Sequence, residues 1–429
     1  MFTLVGCRSR IYPVFELNGA MSRAAPGDLA ELRDAVGEAI AVEEPLEVVA
    51  GGSKRGLGRP LQLPRTLDLS RLAGIRDYQP AELVLTAGAA TPIEEIETVL
   101  AGAGQMLAFE PPDWRALFGW PTTTSGHPSL GGVLACNLSG PRRIKAGAAR
   151  DHFLGFRGVS GRGEIFKAGG KVVKNVTGYD LCKLIAGSYG TLAALEEVTI
   201  KVLPRPETVS TVFLCRIGAA TAVHKLGQAL ASPHEISGAV YIPALITDFA
   251  WLPGANAILA LRLEGPAPSV AFRRERLLIE MGSECEAGLL DHEASVTFWH
   301  AIRDLAVVSG LDGRSVWRIS VAPSRGVELA DTIAHGLDAV WYLDWGGGLV
   351  WAAVAGADDG GAAAIRAAIR GADGRGTGHA TLIKGSPELR QSIPVFEPQT
   401  PPLAALARRI KDAYDPRGIL NPGRMIKGS

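Results

Sequence analysis

The chain has 429 residues, of which 47% are hydrophobic and 21% charged, with 52 glycines. That is longer than one hydrophobic core usually grows, and at roughly 100–200 residues per domain it predicts two unequal lobes. The 44 basic and 44 acidic side chains cancel, so the chain lacks the electrostatic excess that would hold a nucleic-acid backbone or an anionic membrane surface.

Residues 1–20 form an extension that Arg8 and Arg10 keep from reading as a signal-peptide core, and Met21 is the more natural beginning. The extension is expected to be disordered or to lie upstream of the true start. No apolar run reaches the length of a membrane span. Cys7, Cys136, Cys182, Cys215 and Cys285 are scattered without a C-x-x-C, which points to a reducing, cytoplasmic setting with no metal or iron–sulfur site in this chain.

Apolar residues at helical spacing from Pro26 to Val42, with Asp28 in the first turn, predict an opening helix. A short strand from Pro45 then feeds the glycine-rich loop Gly51–Gly58. Residues 82–87 read as a second strand, and Pro92–Leu100 as a helix capped by Thr91 with Glu94 three residues on. From Glu110 to Pro141 no period is visible, and a structureless loop of that length normally has a ligand to order it. Thr177 and Asp180 have capping-box spacing, so a helix should start near Gly178. Val198, Ile200 and Val202 alternate as a strand that ends at Pro204 and Pro206, the best domain boundary. Beyond it, helical patterns at about 219–231, 269–281, 293–308, 326–339 and 359–371 are separated by strands such as 317–321 and 339–343, which is the signature of an α+β lobe. A last helix covers 403–414.

No G-x-G-x-x-G occurs, and the Walker spacing of Gly51 and Gly56 is followed by Leu57 rather than lysine. What remains is two glycine loops, 51–58 and 126–132, each able to bring main-chain N–H groups up to an anion without side-chain obstruction. A pyrophosphate needs such a cradle. Chemistry on an anionic substrate would need in addition a cation to fix it and a base to take a proton. His300 and Arg303 share a helix face, and Arg318, His379, Lys384 and Arg424 are further candidates. His127, His152 and Cys136 fall in the same half as the glycine loops.

The blocks Ala50–Gly56, Pro128–Asn137, Arg150–Asp151, Lys174–Asp180, Gly187–Leu192 and Glu197–Pro204 occur in the order that resembles the vanillyl-alcohol-oxidase flavoprotein superfamily. Val173–Cys182, Leu343–Gly348, Gly378–Leu382 and Leu420–Met425 are similar to the FAD-binding subunits of glycolate oxidases. The resemblance implies an α+β protein. A p-cresol-methylhydroxylase-type FAD-binding domain of two subdomains would span 21–205, a cap domain with an antiparallel sheet and flanking helices 206–400, and a tail returning to the flavin 401–429.

It also implies one FAD, held by Gly51, Gly52, Ser53, Lys54, Arg55 and Gly56 and by His127, Pro128, Ser129, Leu130, Gly131 and Gly132, with Asn137, Arg150 and Asp151 nearby. The adenine end would lie against Val198 and Ile200. Arg303, Arg318, His379 and Arg424 would be the catalytic candidates, with Arg424 facing the flavin. Tyr189 stands where catalytic relatives carry a glutamate, and no H-x-H is present. The implied partners are a larger FAD-containing subunit, an iron–sulfur subunit that carries electrons onward, and a small 2-hydroxy acid, with membrane association only through those subunits. Three functions stay open: a subunit that takes part in oxidising glycolate to glyoxylate, a flavin-containing scaffold that is not itself catalytic, and a stand-alone D-2-hydroxyacid dehydrogenase.

Overall fold

The computed structural model describes residues 22–120, 126–170, 179–244, 256–282, 285–371, 374 and 376–428. The 1–20 extension and the Lys171–Gly178 part of the flavoprotein-like motif lie outside the described residues.

The first half runs β1 (Ser22–Ala24), α1 (Leu29–Ala41), β2 (Leu46–Val49), β3 (Arg65–Asp68), β4 (Ile75–Gln79), β5 (Val84–Gly88), α2 (Ile93–Gly102) and β6 (Gln105–Met106). It continues through α3 (Leu130–Cys136), α4 (Arg143–Ala146), α5 (Ala149–His152), β7 (Phe153–Ser160), β8 (Ile165–Gly169), α6 (Leu181–Ile185), β9 (Ala193–Lys201) and β10 (Leu203–Pro204). Two sheets result. A three-stranded parallel sheet has the order β1-β3-β2, and a five-stranded antiparallel sheet has the order β4-β5-β9-β7-β8. Their separation is the two-subdomain arrangement expected of an FAD-binding domain of the p-cresol-methylhydroxylase type.

Local chemistry accounts for most helix starts and corrects three expectations. Asp28 caps α1 by accepting from the Glu31 amide at 2.8 Å. Thr91 is not a cap: its hydroxyl binds Gly88 O and the Gly74 amide, tying the turn after β5, and α2 starts at Ile93 without a side-chain cap. Asp180 alone caps α6, which begins at Leu181 rather than at Gly178. The stretch from 110 to 141 is not wholly irregular, since α3 lies inside it with Ser129 as its cap. Its Leu-Gly-Gly start hides it from propensity.

The second half contributes β11 (Thr208–Cys215), α7 (Ala219–Ala231), β12 (Gly238–Ile242), β13 (Ile258–Gly265), α8 (Ala267–Gly282), β14 (Glu286–Leu290), α9 (His292–Arg303) and α10 (Ala306–Ser309). Then follow β15 (Ser315–Val321), α11 (Gly326–Gly336), β16 (Asp338–Asp344), β17 (Leu349–Ala355), α12 (Ala362–Arg370), β18 (Gly378–Lys384), α13 (Pro387–Ser392) and α14 (Pro401–Tyr414). Among the described residues the strands form one eight-stranded sheet, β14-β11-β13-β12-β16-β17-β15-β18, with antiparallel neighbours throughout.

One face of that sheet packs Val212, Leu214, Leu261 and Trp341 under α7, α8, α11 and α12. The other face sends Val240, Ile258, Val316, Tyr342 and Trp351 into a core shared with Leu85, Ile96, Phe109 and Val133 of the first half. Cap and FAD-binding halves are therefore joined by continuous apolar packing. A third core holds α1 and the parallel sheet against Ile419 and Leu420 of the tail.

Candidate functional site

A cleft with about 740 Å³ of empty space, part of it open to solvent, lies between the two sheets of the first half. Its walls come from the end of β2, the loop after it, the start of α3, the Tyr189 turn, the start of β9 and the C-terminal tail.

Main-chain groups dominate its chemistry. Among the described residues the amides of Gly52, Ser53 and Lys54 donate to nothing. Gly52 has φ +79, the left-handed turn that aims successive N–H groups to one side. On the facing wall Gly131 lies so close to Ala89 that a Cβ would sit 2.8 Å from its carbonyl oxygen, and at Gly51 a Cβ would meet His127 O at 2.0 Å. The two loops touch through their backbones. This is a cradle for a diphosphate, and a dinucleotide fits it.

Cations complete the cleft. Burial lowers the Lys54 ammonium to about 8, and Nζ donates to Ser53 Oγ at 3.1 Å. Arg424 enters from the tail, donates to Lys54 O at 2.9 Å and is buried. Asn421 beside it accepts from the Val48 amide at 2.8 Å and donates to Tyr189 O at 3.0 Å.

The structure sorts the expected residues. Gly52, Ser53, Lys54, Arg55, Ser129, Gly131, Gly132 and Arg424 line the cleft, while Gly51 and Gly56 shape the loop behind it. Pro128 and Leu130 are buried beneath it, and their main chain bonds to the α2 turn: Pro128 O accepts from the Ile93 amide and the Leu130 amide donates to Thr91 O. Several residues sit elsewhere. His127 is exposed beside α2, against Pro92 and Glu95. Asn137 takes the left-handed C-cap of α3 with φ +50 and accepts from the Arg150 amide. Asp151 accepts from the Ala148 amide and pairs with Lys183, while Arg150 is exposed.

Val198 and Ile200 are sealed in the core, and it is Ala193 and Leu195, earlier on β9, that line the cleft. His152 has both ring nitrogens on carbonyls, Ala146 O at 2.9 Å and Lys201 O at 3.3 Å, and faces no cleft. Cys136 does line it, with burial pushing its thiol up to about 11.

The cap candidates also divide. Arg303 and His300 line a separate cleft near Glu97 and Arg205, and Arg303 pairs with Asp304 at 2.7 Å. Arg318 instead stands on the sheet face that meets the first half, in a row with Trp351 and Thr381; Ser320 and His379 form the next row. Its guanidinium stacks on Trp345 at 5.0 Å and has no ion pair among the described residues, and burial brings it down to about 10. His379 is exposed at this edge, with Arg318 and Arg143 near enough to lower its pKa after burial has done so. Lys384 lies at the far end of β18, opposite Val316.

The FAD binding domain family matches residues 22–169, and the C-terminal domain of FAD linked oxidases matches residues 395–425. Glycolate oxidase subunit GlcE of Escherichia coli K12 is 36% identical over 92% of this chain and 96% of its own length. The chain belongs to the GlcE family. It is an FAD-linked oxidoreductase. Glycolate oxidase subunit GlcD of Bacillus subtilis 168 is 32% identical over 35% of this chain and 33% of its own. Crystalline p-cresol methylhydroxylase with substrate bound shares the fold, with a TM-score of 0.66 at 13% identity over 94% of this chain and 88% of its own.

Sequence reasoning missed Asn421, Arg390 and the floor of the cleft. Arg390 donates to Gly58 O at 2.6 and 2.8 Å and so clamps the first glycine loop from the cap side. The Asn-Pro-Gly-Arg tail motif was a signal for Asn421; nothing in the local sequence marks Arg390.

Proposed function

We propose that this chain is the FAD-binding subunit of a glycolate oxidase complex and takes part in oxidising glycolate to glyoxylate, its electrons leaving through partner subunits. The supporting observation is Arg318, a guanidinium on the cap face with no ion pair among the described residues and close enough to act on Tyr189 in the wall of the cleft. FAD, when bound, supplies the acceptor for the hydride. The chain's own residues do the rest. Gly52, Ser53 and Lys54 would hold the diphosphate through their free N–H groups, and the Arg424 and Lys54 side chains would give the cofactor's negative charge a cationic setting. Arg318 fixes the substrate carboxylate, with Trp345 and Trp351 shielding the ion contact from water. His379, exposed at this edge but with its pKa lowered by partial burial of the ring and then by Arg318, is the group here able to take the hydroxyl proton.

Partners are suggested by the relatives, since similar chains carry the names of two different glycolate oxidase subunits, GlcE and GlcD. A larger flavoprotein subunit and an iron–sulfur subunit would carry the electrons onward. No helix among the described residues is long and apolar enough to cross a membrane, so membrane contact would come through them.

The test is anaerobic addition of glycolate to the yellow protein, alone and with its partners. Bleaching that disappears in Arg318→Ala, with FAD content retained, supports the reading; bleaching unaffected by that substitution refutes the assignment of Arg318. A protein that binds no FAD in either state refutes the whole.

A further inference from the structure

Tyr189 is not required by the cradle, yet the fold goes to some length to hold it in the cleft. It stands in the turn between Gly187 and Gly190 with φ +55, a left-handed conformation in which a bulky side chain is strained and glycine is not. Three contacts pin it. Its amide donates to Ala135 O at 2.9 Å, its carbonyl accepts from Asn421 Nδ2 at 3.0 Å, and its ring meets Phe396 edge-on at 4.9 Å. Backbone and ring are thus fixed by α3, by the tail and by the segment after α13.

The hydroxyl is the exception. Among the described residues it has no hydrogen-bond partner, although the residue lines the cleft. Burial raises its ionisation above the ordinary tyrosine value, and Arg318 and Arg424 both lie near enough to act on it. It is therefore a neutral O–H donor in the cleft wall, with Arg318 and Arg424 within electrostatic reach. A donor placed beside cations suits an anion with more than one acceptor oxygen, and a carboxylate is the small anion of that kind.

We propose that Tyr189 is a substrate-binding residue whose phenol donates a hydrogen bond to the carboxylate held by Arg318, selecting small 2-hydroxy acids at the junction of cleft and cap. This rests on the reading of Arg318 given above. The aromatic brace from Phe396 explains why the hydroxyl keeps its direction, and the strained φ marks a position where glycine would serve the fold better.

The experiment uses the FAD-loaded protein with its partner subunits. Tyr189→Phe keeps the ring and its brace and removes only the donor. A hydrogen bond to a charged group predicts about a tenfold rise in KM for glycolate and about a tenfold weaker binding of oxalate, a dicarboxylate that cannot be oxidised here. Oxalate binding is followed by titration calorimetry, independently of turnover. FAD content stays at the wild-type level, and kcat changes by no more than about twofold.

Unchanged oxalate affinity and KM in Tyr189→Phe, with Arg318→Ala weakening both, would overturn the role of Tyr189 and leave that of Arg318 standing. If Arg318→Ala also leaves oxalate binding intact, the underlying reading has failed as well. Loss of FAD from Tyr189→Phe overturns the proposal in favour of a cofactor contact.

Discussion

Lys54 carries the clearest pH signature of any single residue in the cleft. Its ammonium titrates near 8 in the folded chain against an ordinary value of 10.5, chiefly because burial strips its water. Between those values the unfolded chain binds more protons. The penalty that Lys54 imposes on the fold is therefore full below about pH 8 and is relieved as pH rises through that window. A bound anionic cofactor responds in the opposite sense, since it gains from the ammonium and loses it above about pH 8. FAD affinity is expected to fall from about pH 7 to about pH 9.5 in fluorescence titrations, and Lys54→Met should flatten the curve while weakening binding at the lower end. A slope that survives in Lys54→Met would place the titrating group elsewhere.

At the level of elements, the tail is held by a small buried device rather than by its own propensity. Lys411, near the end of α14, donates to Asp415 at 2.6 Å, to Thr191 O at 2.8 Å and to Leu420 O at 3.1 Å. Asp415 accepts in turn from the Ile419 and Leu420 amides, both at 2.8 Å. The turn so formed sets Leu420 beside Leu46 of β2 and sends Asn421 and Arg424 into the cleft. All donors and acceptors in it are mutually engaged, so removing one partner strands a buried charge. Asp415→Ala should cost about 3–5 kcal/mol in urea unfolding and weaken FAD binding as well, because Arg424 loses its position. Arg424→Ala, by comparison, should weaken FAD with little change in unfolding midpoint. Equal effects of the two substitutions on stability would contradict this division of labour.

Across the whole molecule, the two halves are locked by four charges that meet where the apolar core is interrupted. Glu110 and Arg142 come from the first half, Arg262 and Glu264 from β13. Arg262 pairs with Glu110 at 2.7 Å and Arg142 with Glu264 at 2.8 Å, while Arg142 also reaches Glu110 at 3.2 Å. Burial works to raise both carboxyls, but the guanidiniums outweigh it, holding Glu110 below its usual range and Glu264 at about 2. Carboxylates depressed in this way stabilise the fold above their ordinary pKa of 4.5, and that contribution is lost as pH falls toward about 2. Glu110→Gln leaves Arg262 and Arg142 sharing one carboxylate inside the interface. It is expected to lower stability by about 3–5 kcal/mol, and differential scanning calorimetry should show the single transition splitting as the cap loses its hold. A single transition at an unchanged temperature would mean that apolar packing alone joins the halves.

Several features were legible in the residues themselves. The glycine loops, the amphipathic helices from α7 onward, the alternating strands β15 and β16 and the motif order that resembles FAD-linked oxidases all depend on contacts close in sequence, where period and turn chemistry decide the outcome. What the fold alone decided is which of these residues meet. Val198 and Ile200 were assigned to the adenine and lie in the core, while Ala193 and Leu195, nearer the start of the same strand, reach the cleft. Arg303 and Arg318 look equivalent as lone arginines in the second half; pairing with Asp304 neutralises one, and sheet register carries the other to the cap face, where it has no ion pair among the described residues. Asn421 and Tyr189 are 232 residues apart in the chain yet share one hydrogen bond. Such pairings depend on how the tail and the sheets close on each other, a long-range outcome that no local pattern encodes.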